Sequence, residues 1–235
     1  RPVKWIEDRR EHLMAANHSR EQRHRVRAID LPTQGEDATP AAGIGLQQWI
    51  DRTVAELRAI GRPQVLVGHS MGALVALDCA ARHPEKVRAL GLCGVALEMP
   101  VHPEMLESAK DDTPKVQELM TFWGIGNALH KGGMVSPGLW LRRESLAVLA
   151  ANKPGAIWTD LNACNAYKDA PARATQVKCP TVLVLGDGDL MTPAAKARPL
   201  AAAISGSKTV TVAKCGHFMM VERPDETLDA LKADV

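Results

Sequence analysis

From about residue 25 onward, short aliphatic and β-branched runs alternate with longer stretches of helical periodicity, the rhythm of βα units in a parallel sheet. Residues 25–30 read as a first strand, Gln64–His69 as a second, 87–95 as a third, 181–187 as a fourth and 208–213 as a fifth. Between the first two, Leu46, Trp49, Ile50, Val54, Leu57 and Ile60 recur at the spacing of one helix face, and Gly61 stops the pattern. Met71–Arg82 is apolar on almost every side, which predicts a helix buried against the sheet and closed by Pro84. Residues 193–204 and 224–233 predict two more helices, each with proline in its first turn, where a missing N–H does no harm.

The alternation breaks once. Between about 98 and 172 no strand pattern occurs; Met105, Leu106, Leu119, Met120, Trp123, Leu139, Trp140, Leu146 and Leu149 stand at helical spacing, interrupted by Gly and Pro. This predicts a helical cap inserted into a sheet domain, with the core supplied by residues 1–97 and 173–235. No repeat or low-complexity tract accompanies it.

Composition narrows the function classes. The 235 residues carry 29 Lys and Arg against 27 Asp and Glu, a net +2 that is too balanced to capture nucleic acid or an acidic membrane. The basic stretch at 20–27 is interleaved with acids nearby and reads as a solvated helix face. No apolar run approaches the roughly 20 residues of a membrane span, and the charged start has no signal-peptide character. Five cysteines without a C-x-x-C or a Cys and His cluster argue against structural zinc and for a reducing compartment, hence a cytoplasmic protein. Cys79 and Cys93 lie in apolar runs, where a thiol serves as a small hydrophobe.

Gly68-His69-Ser70-Met71-Gly72 falls where the strand Gln64–His69 meets the helix from Met71. At such a turn the serine backbone is strained, flanking glycines avoid clashes, and the hydroxyl projects above the sheet at a helix N-terminus. A serine hydroxyl needs a base. Of eight histidines, His217 in Gly216-His217-Phe218 follows the last strand at a permissive turn; His69 is a positioning or packing residue. His12, His18, His24 and His130 read as solvated, and His83 and His102 as loop residues before proline. The base in turn needs a carboxylate, and the fourth strand ends in Gly186-Asp187-Gly188-Asp189, with Asp189 the first choice and Asp187 the substitute.

These motifs resemble those of the α/β-hydrolase superfamily, in its cap-bearing, esterase-like branch. The resemblance rests on Asp30-Leu31-Pro32 through Gly35-Glu36-Asp37, on Gly68-His69-Ser70-Met71-Gly72, on Gly186-Asp187-Gly188-Asp189 with Met191-Thr192-Pro193, and on Gly216-His217 with Glu222-Arg223-Pro224. It covers roughly residues 25–97 and 175–235. It implies the order Ser70, Asp189, His217 for a catalytic triad, and its Gly-x-x-Asp pattern selects the second aspartate. Serine at the nucleophile position is unlike the dehalogenase and epoxide hydrolase members, whose intermediate needs a carboxylate there.

The expected fold is therefore α/β, a mostly parallel sheet flanked by helices, and the expected activity is cleavage of a small carboxylic ester through an acyl-Ser70 intermediate. Met71 N–H would serve the oxyanion; Phe122, Trp123, Trp140 and Trp158, with Met120, would line an apolar acyl pocket. No metal or organic cofactor is required. The same three side chains also serve C–C, peroxide and amide chemistry, and a non-catalytic binding member is the reading from another class. One departure is large: residues 1–24 hold neither the central strand nor the His-Gly loop that the family places between the first two strands read here, and Trp5, Ile6, Leu13, Met14 and Ala15 look like the helix after it. The expectation is that a segment upstream is absent or that another fills the gap, since unpaired buried backbone groups cost about 1–3 kcal/mol each.

Overall fold

Helix and strand follow from the sequence periods just described. A computed structural model describes residues 26–34, 43–130 and 140–232. Helix α1, Leu46–Ile60, buries Leu46, Trp49, Ile50, Val54 and Leu57 along one face and ends at Gly61, whose φ of 75° is the left-handed cap that glycine supplies. Then come β1 (Gln64–His69), α2 (Met71–Arg82) and β2 (Val87–Cys93). Among the described residues six helices follow: α3 (Pro103–Lys110), α4 (Pro114–Gly124), α5 (Asn127–His130), α6 (Leu141–Ala150), α7 (Ala156–Ala166) and α8 (Ala170–Ala174). The chain closes with β3 (Thr181–Gly186), α9 (Ala194–Ala203), β4 (Lys208–Val212), α10 (Met219–Glu222) and α11 (Pro224–Lys232).

The four strands form one parallel sheet in the order β1-β2-β3-β4. Alternation sorts the strand side chains onto two faces. Leu90, Leu92, Leu183 and Leu185 pack with α1, α2 and α9, whereas Cys93, Val182, Val184 and Val212 pack with Met219 of α10 and Ala230 of α11. The register pairs His69 with Cys93, Cys93 with Val184 and Gly186 with Val212, so the carboxyl ends of all four strands reach one edge.

Several sequence readings need correction. Residues 26–30 are not a strand, and Val26 is 53% exposed. Local composition there favours extended backbone but does not by itself make a strand. The chain divides into two compact units at the junction of Asp30 and Leu31. Arg25, the Gly35-Glu36-Asp37 motif and the proposed helix of Trp5 to Ala15 lie outside the described residues. The helix read over 193–204 holds as α9, with Pro199 inside it.

Between β2 and β3 the described residues hold helices and no strand. Met105, Ala109, Val116, Ile157 and Leu161 form a core there, with Trp123, Trp158 and Met191 at its margin. A buried charge ties these helices to the sheet layer: Asp78 of α2 is paired with Arg82 and Arg173 and accepts a hydrogen bond from the Tyr167 hydroxyl at 2.7 Å. A buried carboxylate is tolerable only with such partners. Burial pushes the thiols of Cys79, Cys93, Cys164 and Cys215 up to about 12, so they act as small hydrophobes. Among the described residues no helix is long and apolar enough to cross a membrane.

Candidate active site

The turn from β1 into α2 forces Ser70 into a backbone conformation of φ 53° and ψ −120°, outside the regions that L-residues favour. Its N–H donates to Cys93 O at 2.9 Å, fastening the turn to the end of β2. Gly68 is sterically required: a Cβ there would lie 2.1 Å from Gly72 O. Gly72 is not, because a Cβ there would meet nothing within 4 Å among the described residues. The expectation that both flanking glycines avoid clashes holds for the first alone. Met71 opens α2, so its N–H belongs to the first turn, where no carbonyl four residues earlier can accept it.

His217 lies over Gly94, the residue after β2. A Cβ on Gly94 would come 3.1 Å from both Cε1 and Nδ1 of His217 and 3.3 Å from Nε2 of His69. The imidazoles of His69 and His217 pack with centroids 4.6 Å apart. Burial, then the neighbouring His217, drive the His69 pKa down to about 3, so its ring is neutral. Its Nε2–H therefore donates to His217 O at 2.8 Å.

Asp189, in the loop after β3, is 2.8 Å through Oδ2 from His217 Nδ1. Burial pulls the Asp189 pKa upward, but hydrogen bonds from His217 and Thr192 outweigh it and hold the carboxyl below its ordinary range. The ionised carboxylate only accepts, so Nδ1 carries the proton and Nε2 is the nitrogen left to act as base. Asp189 Oδ1 accepts from Met191 N and Thr192 N, both at 2.8 Å, and Oδ2 accepts from Thr192 Oγ1 at 2.7 Å. Asp187 does different work, accepting from Cys215 N at 3.1 Å. Among the described residues no hydrogen bond joins the Ser70 hydroxyl to His217; contacts of this kind tighten when substrate binds.

The four aromatic residues expected to line a pocket are not gathered together. Trp123 and Trp158 sit half-buried at the margin of the helical core, the latter sharing that cluster with Met191 beside Asp189. Phe122 and Trp140 are 56% and 62% exposed. Periodicity marks such residues as apolar without saying which face of the helix meets which neighbour. His130, expected to be solvated, donates instead to the carbonyls of Phe122 and Ile125.

Thr192 and Glu222 entered the sequence reading only as parts of motifs. Thr192 follows Asp189 by three residues, the spacing of a side-chain-capped turn. Glu222 follows the apolar run Phe218 to Val221 and is only 1% exposed, so its carboxylate demands buried donors. Burial raises its pKa, and backbone N–H donors from Gly216, Gly126 and Phe218 offset part of that rise.

Residues 4–230 match the family model described as "Alpha/beta hydrolase family". The chain belongs to the alpha/beta hydrolase family. A pimeloyl-[acyl-carrier protein] methyl ester esterase of Aromatoleum aromaticum is 30% identical over 220 residues, which span 86% of this chain and 84% of that protein. A putative carbamate hydrolase RutD of Klebsiella pneumoniae is 28% identical, over 87% of this chain and 79% of that one. Among solved structures, a hydrolase from Pseudomonas aeruginosa superposes with a TM-score of 0.79 at 21% identity, covering 94% of this chain and 84% of its own. The relatives of this alpha/beta hydrolase are thus hydrolases and esterases.

Proposed function

We propose that the protein is a serine hydrolase that cleaves a small carboxylic ester, with Ser70 as nucleophile, His217 as general base and acid, and Asp189 as the carboxylate that fixes the imidazole. The observation that carries this reading is the 2.8 Å contact of His217 Nδ1 with an ionised Asp189, at the same sheet edge as a strained serine turn. The relative from Aromatoleum is named for a methyl ester substrate, which supports the substrate class.

In the first half-reaction Nε2 of His217 takes the Ser70 proton as Oγ attacks the ester carbonyl. Negative charge develops on the carbonyl oxygen, within reach of the Met71 N–H at the start of α2, where the helix dipole favours an anion. The imidazolium, steadied by Asp189, gives its proton to the departing alkoxide, and an acyl-Ser70 ester remains. In the second half Nε2 deprotonates water, which attacks the acyl carbonyl; the proton returns to Ser70 Oγ and the carboxylic acid leaves. Every step moves a proton or an acyl group, and Ser70, His217 and Asp189 suffice for them without a metal or organic cofactor. The helices between β2 and β3 act as a cap, and Trp123 and Trp158 are the aromatic residues we assign to the acyl side.

Hydrolysis of p-nitrophenyl acetate tests the reading. The protein should turn it over and be labelled at Ser70 by a fluorophosphonate, and Ser70→Ala should lose both, with kcat down about 10⁴- to 10⁶-fold. Wild-type turnover in Ser70→Ala, or no turnover and no labelling in the unmodified protein, overturns it.

A further inference from the structure

Two residues of the base loop, Gly216 and Phe218, are held by a carboxylate that makes no hydrogen bond to the imidazole. Glu222 Oε2 accepts from Gly216 N at 2.8 Å and from Gly126 N at 3.0 Å, and Oε1 accepts from Phe218 N at 3.2 Å. The residues immediately before and after His217 therefore hang on one side chain. The third donor, Gly126, comes from the turn between α4 and α5, some ninety positions away in sequence by the 96-residue separation of that bond. The same turn holds His217 directly, since His217 N donates to Gly124 O at 2.7 Å. With His69 donating to His217 O, both backbone polar groups of His217 are fixed.

The backbones approach too closely for any side chain between them. A Cβ on Gly216 would lie 2.4 Å from Gly126 N and 2.5 Å from Gly124 O; a Cβ on Gly126 would lie 2.9 Å from Gly216 N and 3.0 Å from Glu222 Oε2. Ile125 closes the contact against Phe218 and Val221. Two stretches of chain thus meet through glycine and share one anion, and an apolar residue at 222 could not satisfy three converging N–H groups.

We propose that Glu222 is a positioning residue for His217, coupling the aim of the imidazole to the turn at residues 124–126 of the helical stretch. The proposal rests on the reading of His217 as base. Glu222 contributes no proton and meets no substrate; it sets where Nε2 stands relative to Ser70. A displacement of about 1 Å in a reacting group can cost about 100-fold in rate. In Glu222→Gln the amide offers one oxygen, so its NH2 must face at least one of the three donors.

The test is the kcat and KM of p-nitrophenyl acetate hydrolysis together with the low-field imidazole N–H proton that the His217 and Asp189 contact should give in NMR. Glu222→Gln should lower kcat about 10- to 100-fold with KM within about twofold, and should broaden or shift that proton. Gly126→Ala, whose Cβ wedges the contact from the helical side against Gly216 N and Glu222 Oε2, should lower kcat about tenfold with the same KM signature. A folded Glu222→Gln protein with wild-type kcat and an unchanged low-field proton overturns the proposal. If neither variant folds, amide exchange of the unmodified protein decides: similar protection of Gly126, Gly216 and Phe218 supports a shared anchor, and far faster exchange at Gly126 overturns it. Absent ester turnover and fluorophosphonate labelling in the unmodified protein would instead sink the esterase reading, leaving the tether to be judged by the proton and by exchange.

Discussion

Around Asp189, four donors converge on one buried carboxylate: two backbone N–H groups, the Thr192 hydroxyl and the His217 imidazole. In α7, Asp160 has one oxygen bonded to Gln34 at 2.8 Å and the other buried with no hydrogen-bond partner among the described residues. Thr121 Oγ1 and Lys153 Nζ, also between β2 and β3, are buried in the same condition. The strand-end loops thus satisfy their buried polar groups, and the helical stretch leaves several unmatched at about 1–3 kcal/mol each. The two carboxyls diverge accordingly, Asp189 held low and Asp160 pushed up to about 7 by burial, with only the Gln34 bond opposing. A site that must not reorganise during reaction is built like the first region; under the proposed function the second encloses that site and can tolerate the cost.

The largest effect should come from spoiling the satisfied region. In Asp189→Asn the amide oxygen keeps the two backbone donors, so the NH2 points at His217 Nδ1. Nδ1 must then accept, the proton moves to Nε2, and the base is lost. We expect kcat for p-nitrophenyl acetate to fall about 10⁴-fold with the fold intact by circular dichroism. Thr192→Val removes a single hydroxyl donor from Oδ2 while sparing the backbone bonds, and should cost about 10-fold in kcat, or about 1.4 kcal/mol. Equal losses in the two variants would contradict the tautomer argument.

The same contrast explains what the sequence made legible. The positions of Ser70, Asp189 and His217 could be read because each sits at a place the βα rhythm defines: Ser70 between β1 and α2, Asp189 after β3, His217 after β4. Period-3.6 spacing likewise gave α1 its bounds, with Gly61 supplying the left-handed stop. What escaped was decided by neighbours distant in sequence. Residues 26–30 have strand composition but are not strand, Gly72 has space its motif does not need, and Trp123 packs where Phe122, one position earlier, faces solvent. Glu222 stood in the sequence only as part of the Glu222-Arg223-Pro224 motif, because its donors at Gly126 and Gly216 come from the tertiary fold alone.

The unsatisfied region can be repaired. Asp160→Asn keeps an oxygen for Gln34 and gains stability wherever the carboxylate is a burden. Its folded pKa of about 7 lies above the unfolded value near 3.9, so the unfolded chain ionises first, and stability falls as pH rises between those values. The substitution should therefore raise stability by about 1–3 kcal/mol at pH 8 and change little at pH 4, measured by urea unfolding. A destabilised variant at pH 8 would show that the carboxylate has a compensating role.

His69 should give the smallest and opposite slope. Its ring is neutral in the fold with a pKa near 3, against about 6.5 when unfolded, so acid protonates the unfolded chain first. Stability from this group is complete above pH 6.5 and is lost as pH falls toward 3, at no more than about 1.4 kcal/mol per pH unit and less because the residue is only half-buried. In the native protein Asp160 masks the trend over the same window, since its contribution rises as pH falls. The comparison is cleanest in an Asp160→Asn background, where urea midpoints between pH 6.5 and 4.5 should decline with acid. Adding His69→Gln, whose amide can still donate to His217 O, should flatten that decline. An undiminished slope would place the acid sensitivity in another group and remove His69 as its source.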